Sequence, residues 1–168
     1  VAVSDSPNPP NLPTREDPIS ALLAQSTPAE RRAYLDSHPT MLSRATVAAL
    51  KIRADQQEQQ DPQATSNIGD VAAQIADRLD DDVARAIAAI IQANTLRLLG
   101  QHQEAVALYD QAARLYRAGG DELAAALAQV GKIDALAYLD RYDEALQLAE
   151  AIGSVCDAHN ERLARAKL

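Results

Sequence analysis

Cys156 and His159 stand three positions apart, close enough to share one face of a helix end. A thiolate beside an imidazolium is the pair from which cysteine nucleophiles are built. Catalysis also needs a group that orients the imidazole and donors that receive an oxyanion, and the neighbouring sequence supplies neither. The histidines His38, His102 and His159 are widely separated, with no CxxC pair and no two-histidine helix motif, so a metal site has no ligand set. Asp80, Asp81 and Asp82 form an acidic run without the alternating oxygen spacing of a calcium loop. Their position before an apolar stretch instead marks a helix start, where carboxylates complement the backbone dipole. The pair Gly119 and Gly120 lacks the lysine and flanking glycines of a phosphate cradle. The chain is therefore read as a non-enzyme with no cofactor and no metal.

What must be explained is the framework. Apolar residues make up 47% of the 168 positions, enough for a packed interior. Only 3% are aromatic, all of them tyrosine, and alanine supplies much of the apolar count. Alanine is the best helix former and lets backbones approach closely, whereas sheets favour β-branched and aromatic residues. An all-α chain follows. The formal charge of −8 and the lack of a basic face argue against nucleic acid and against an anionic membrane surface. The longest apolar runs, "AIAAII" (86–91) and "LAAALA" (123–128), fall far short of the roughly 20 residues that span a bilayer. One cysteine excludes an internal disulfide and suits a reducing cytoplasm. A start at Val1 and the absence of a signal-peptide pattern suggest a piece of a longer protein or a processed start.

Along the chain, residues 1–17 carry four prolines and little apolar matter, which reads as a disordered tail. Residues 18–26 suggest a short helix. Thr27, Pro28 and Glu30 then spell a capping box with proline at the first helical position, and this helix ends before Pro39. A longer helix is expected over 43–59, followed by another over 65–79, with Gly69 weakening its first turn.

From Asp81 onward the chain repeats itself. "QHQEAVALYD" (101–110) and "RYDEALQLAE" (141–150) align at an offset of 40 positions, as do Leu96 with Leu136, Leu99 with Leu139 and Asp81 with Asp121. A period in this range marks stacked helical units. Each unit reads as two helices: 81–99 and 103–118, then 121–139 and 142–158. Gly100 and the Gly119, Gly120 pair are the breakers, and Asp121 is a cap. Gly153 inside the last helix costs about 1 kcal/mol relative to alanine. Cys156 aligns with Tyr116, a packing position.

These units resemble the tetratricopeptide repeat family, whose second helix begins with a G-x-Y-x-E-A phrase. "GQHQEA" (100–105) and "DRYDEA" (140–145) each fit with one departure, His102 for tyrosine and Asp140 for glycine. Tyr109 and Ala112 stand at the family's large and small packing positions, with Ala149 and Ile152 replacing them in the second unit, and Ala93 stands where the family prefers glycine. The 40-residue period resembles longer-helix variants in bacterial regulatory proteins. The resemblance covers 81–158 and extends in degenerate form to 43–79. The N-terminal helical stretch also resembles segments that precede CHAT-type (caspase-like) peptidase or signalling domains.

The resemblance implies an antiparallel helix-hairpin solenoid. Its organisation is a tail (1–17), a helical segment with a degenerate repeat (18–79), and repeats over 80–168 of which the last is incomplete. It implies a non-catalytic protein–protein interaction scaffold; the alternative is a regulatory or sensor segment of a larger bacterial protein. Groove positions implied by the family are Ile87, Ile90, Asn94, Arg97 and Leu98 in one unit, and Leu127, Val130, Asp134, Ala137 and Tyr138 in the next. Asn94 sits where carboxylate-clamp members hold a peptide terminus, but Ile90 and Asp134 replace other clamp residues, so a chaperone-tail clamp is not expected. The partner is expected to be a protein or peptide, another domain of the same protein included. "NERLARAKL" (160–168) aligns with "GDELAAALA" (120–128) and is expected to begin a further first helix. Its Leu163, Ala164 and Leu168 face awaits a continuation, a partner or a second copy, unless the segment is itself the cap.

Overall fold

The structure, a computed structural model, describes residues 17–57 and 60–159. The expectations for 1–16 and for a new helix in 160–168 lie outside these residues. Among those described there is no strand; nine α-helices and one 3-10 turn account for the regular structure.

Local chemistry sets the helix starts. α1 (Pro18–Leu23) is capped by Asp17, whose carboxylate accepts from the Ile19 N–H. α2 (Pro28–Ser37) opens with the expected capping box: Thr27 Oγ1 accepts from the Glu30 N–H, and Glu30 accepts from the Thr27 N–H. A 3-10 turn (Pro39–Met41) leads to α3 (Arg44–Gln57). α4 (Pro62–Leu79) begins three residues earlier than the apolar pattern suggested, because Asp61 caps it and Pro62 fills the first helical position. Gly69 thus sits buried in its second turn rather than loosening the first. α5 (Asp82–Leu98) is capped by Asp81, α6 (His102–Ala118) follows, and α9 (Tyr142–Ala158) ends the described chain.

The stretch expected as one helix over 121–139 is two, α7 (Glu122–Leu127) and α8 (Val130–Tyr138). At the break the Gln129 N–H bonds the Ala126 carbonyl, three residues back. The Gln129 side chain compensates by donating Nε2 to the Ala125 carbonyl, so a buried acceptor stays satisfied. The break accompanies a close approach from α6. Gly131 faces Tyr109, and a Cβ at Gly131 would lie 2.3 Å from the Tyr109 hydroxyl.

Turns recur every 20 positions. Asp80, Gly100, Gly120 and Asp140 all have positive φ, at 51°, 79°, 79° and 58°. Glycine enters this region without strain, and aspartate tolerates it better than most residues. The departure of Asp140 from the expected glycine therefore leaves the turn intact. After α5, α6 and α8 the next N–H closes a six-residue loop onto a helix carbonyl: Gln101 to Leu96, Asp121 to Tyr116, Arg141 to Leu136. The two- or three-residue connections at these left-handed turns bring successive helices alongside one another.

The main contacts join helices adjacent or nearly adjacent in the chain: α3 with α4 and α5, α4 with α5, α5 with α6, α6 with α7 and α8, and α9 with α7 and α8. The interior is correspondingly divided. One cluster around Leu22, Leu35, Leu50, Ile68 and Ile75 unites the N-terminal helices. Smaller clusters follow around Tyr109 and Leu136, around Ala86, Ala89 and Ala112, and around Ala126, Ile152 and Cys156. Alanines at these contacts let the helices lie close.

Candidate recognition face on α5 and α8

The implied groove residues divide by what holds them. Ile87 packs on the N-terminal cluster and Ile90 on the Ala86, Ala89, Ala112 cluster, so both serve helix packing and are half-buried. Asn94 is engaged from below: the hydroxyl of buried Tyr109, on α6, donates to its Oδ1 at 2.6 Å. Arg97, Asp134 and Tyr138 are brought onto one face. Arg97 near the end of α5 and Asp134 on α8 form an ion pair at 3.6 Å, and Tyr138 lies one turn beyond Asp134.

Arg97 is only partly accessible, its side chain 19% exposed. At 3.6 Å its contact with Asp134 is Coulombic and too long for a hydrogen bond. Its Nε is buried and has no hydrogen-bond partner among the described residues. A guanidinium presents its donors in a fixed planar fork that fits a carboxylate. Tyr138 is 71% exposed. Its ring lies flat on His102, with centroids 4.6 Å apart and planes 2° from parallel. His102 Nδ1 is likewise buried without a partner among the described residues. Beneath this face Lys132 of α8 pairs with Asp110 of α6 at 2.6 Å. The face therefore offers an aromatic surface, a partly buried cation and an exposed carboxylate.

His102, Lys132 and Asp110 belong to this arrangement and were not among the sequence candidates. His102 had a signal: it replaces the tyrosine of the repeated phrase, a position that meets the following first helix. Lys132 and Asp110 are 22 positions apart, and no local pattern pairs them.

The other half of α5 faces a different feature. An open cleft of about 240 Å³ is lined by Ser66 and Asp70 of α4, Gln92, Thr95 and Leu96 of α5, and Leu108 of α6. At 100° per residue, Gln92, Thr95 and Leu96 share a stripe opposite Asn94 and Arg97. None of the implied groove residues lines it.

The residues that suggested chemistry are separated in role. Cys156 is fully buried among Ala126 and Ile152, whereas His159 is exposed and its Nδ1 bonds the Val155 carbonyl. Asp81 acts as an N-cap, with Oδ1 accepting from the Ala84 N–H at 3.0 Å and Oδ2 from Arg44 at 2.9 Å. The Ala84 hydrogen bond, aided by Arg44, holds its carboxyl below the usual range. Among the described residues no group of three or more His, Cys, Asp and Glu side chains is arranged to hold a metal ion, and no helix is long and apolar enough to cross a membrane. Comparisons with protein-family models, with curated proteins and with solved structures give no match.

Proposed function

We propose that the chain is a non-catalytic protein-recognition array, a tetratricopeptide-like solenoid that binds an extended or helical peptide segment across α5 and α8. The observation that carries this reading is the side-by-side pairing of Arg97 on α5 with Asp134 on α8, one turn from the exposed ring of Tyr138. α5 and α8, the second part of its broken counterpart 40 positions on, contribute to one face. The sequential packing of the helices and the 20-residue rhythm of left-handed turns support the solenoid. A preformed helical surface orders little on binding, which favours recognition without a deep pocket.

Arg97 supplies the anchor for a peptide carboxylate, and Tyr138 the anchor for apolar or cationic side chains. The test is selection of peptides from a random displayed library against the whole chain, followed by affinity measurement with single variants. The expected result is that enriched peptides carry an acidic residue and lose about tenfold or more in affinity on Arg97→Ala and on Tyr138→Ala. Equal affinity for both variants and the parent chain removes this face from the reading.

A further inference from the structure

α4 holds Gly69 in its interior, where glycine costs about 1 kcal/mol relative to alanine. The reason lies on α5. A Cβ at Gly69 would stand 2.9 Å from Cγ of Gln92, so the aliphatic stem of Gln92 rests against Gly69 and α4 lies close to α5. Beside this contact opens the cleft of about 240 Å³. The half-buried Gln92 lines it, and its amide has no hydrogen-bond partner among the described residues. Asp70, the residue after Gly69, lines it too; it is exposed and makes no ion pair or side-chain hydrogen bond among the described residues. Ser66 adds a hydroxyl one turn earlier on α4. Thr95 donates its own hydroxyl to the Ile91 carbonyl at 3.0 Å. Leu96 and Leu108, both half-buried against the Tyr109 cluster, supply the apolar wall. Among the described lining residues Asp70 alone is charged.

We propose that this cleft is a binding site for a primary alkylammonium group. An ammonium carries three N–H donors and no acceptor. The cleft offers the matching acceptors: the Asp70 carboxylate, the Gln92 amide carbonyl and the Ser66 hydroxyl. Asp70 balances the ligand's charge, and an anionic ligand would meet only repulsion from it. Leu96 and Leu108 cover the aliphatic chain behind the ammonium, as apolar surface covers the stem of a lysine. Free alkylamines and lysine side chains share this chemistry. The cleft opens on the stripe of α5 opposite Arg97, so the site stands apart from the α5 and α8 face and does not rest on it.

The probes are pentylamine and Nα-acetyl-lysine N-methylamide. Each is titrated into the whole chain at constant pH and ionic strength while the Asp70 and Gln92 amide signals and the Leu96 and Leu108 methyl signals are followed by NMR. Saturable shifts centred on these residues are expected. Tetramethylammonium, which has the charge but no N–H donor, should give none. Asp70→Asn should weaken binding by about tenfold or more, and Gln92→Met by about threefold or more. Asp70 is exposed, and methionine keeps an aliphatic stem against Gly69, so both variants retain the fold. Tighter binding of the lysine derivative assigns the cleft to a peptide lysine, and tighter binding of pentylamine assigns it to a free amine; either result supports the site. Absence of saturable shifts with both probes, unchanged affinity on Asp70→Asn, or equal binding of tetramethylammonium overturns the proposal. So does a gain of about tenfold in probe affinity on Lys167→Met, which assigns the cleft to the chain's own lysine.

Discussion

Replacing Gly131 by alanine should destabilise the chain, although alanine is the better helix former. The new Cβ would lie 2.3 Å from the Tyr109 hydroxyl oxygen, 2.7 Å from Cζ and 3.1 Å from Cε1. Tyr109 is 1% exposed and its ring is enclosed by Ala93, Ala105, Val106 and Leu136. The ring cannot swing into solvent, so it must shift within the core or push α8 away. Overpacking of this kind costs about 1–3 kcal/mol. A shifted ring also weakens the 2.6 Å bond to Asn94, worth about 1 kcal/mol. Helix propensity returns at most about 1 kcal/mol, and less near a helix start. The net expectation is a loss of about 1–3 kcal/mol, or roughly 3–10 °C in Tm for a chain of this size. Urea unfolding followed by far-ultraviolet circular dichroism reads the change as a lower midpoint with unchanged slope. The companion measurement uses Tyr109→Leu, which removes the hydroxyl and its ring carbon. In that background Gly131→Ala should become neutral or stabilising. A higher midpoint for Gly131→Ala in the parent chain, or the same loss in both backgrounds, would refute the reasoning.

Other consequences can be measured on the same chain. Gly100 has φ of 79° and a Cβ there would meet nothing within 4 Å, so Gly100→Ala should lower stability through backbone strain alone, by about 1–2 kcal/mol in urea unfolding. The Asp81 carboxyl is held below its ordinary range by the Ala84 N–H and Arg44, so its contribution is present above the unfolded-state pKa and is lost as pH falls through the lowered folded value. Asp81→Ala should cost about 1 kcal/mol near neutral pH, and Asp81→Asn, which keeps a capping oxygen, should flatten the acid limb of an unfolding-midpoint against pH curve. Cys156 is fully buried, so an aromatic disulfide reagent should modify the native chain at least about 100-fold more slowly than the urea-unfolded chain.

Elements set by short-range chemistry were readable from the residues. The Thr27, Pro28, Glu30 start of α2 and the Asp81 and Asp121 caps of α5 and α7 need only a side-chain oxygen and the next three N–H groups. The turns at Gly100 and Gly120 follow from the backbone freedom of glycine. Asp61 and Pro62 spelled the true start of α4 just as plainly, but the apolar period begins later and outweighed them. The break between α7 and α8 is different in kind. It accompanies a contact between Tyr109 and Gly131, 22 positions apart, and helical propensity across "AAALAQVGKIDALAY" runs against it. The candidate face divides along the same line. The resemblance to tetratricopeptide repeats names Arg97, Asp134 and Tyr138 as candidates, but the Arg97 to Asp134 pair and the Tyr138 to His102 stack arise only when α5, α6 and α8 meet. Ile87 and Ile90 are implied by the same resemblance and are held in packing, because a family position marks a face without saying whether another helix covers it.

The claim that α5 and α8 together form a recognition face is tested most directly by mapping amide chemical shifts of the isotope-labelled chain as a library-selected peptide is added. The account predicts that the largest changes fall at Arg97, Asp134 and Tyr138 and at their neighbours on both helices, and that Arg97→Ala removes them. Changes confined to the cleft residues Ser66, Asp70, Gln92 and Leu108, or changes that survive Arg97→Ala undiminished, would contradict it.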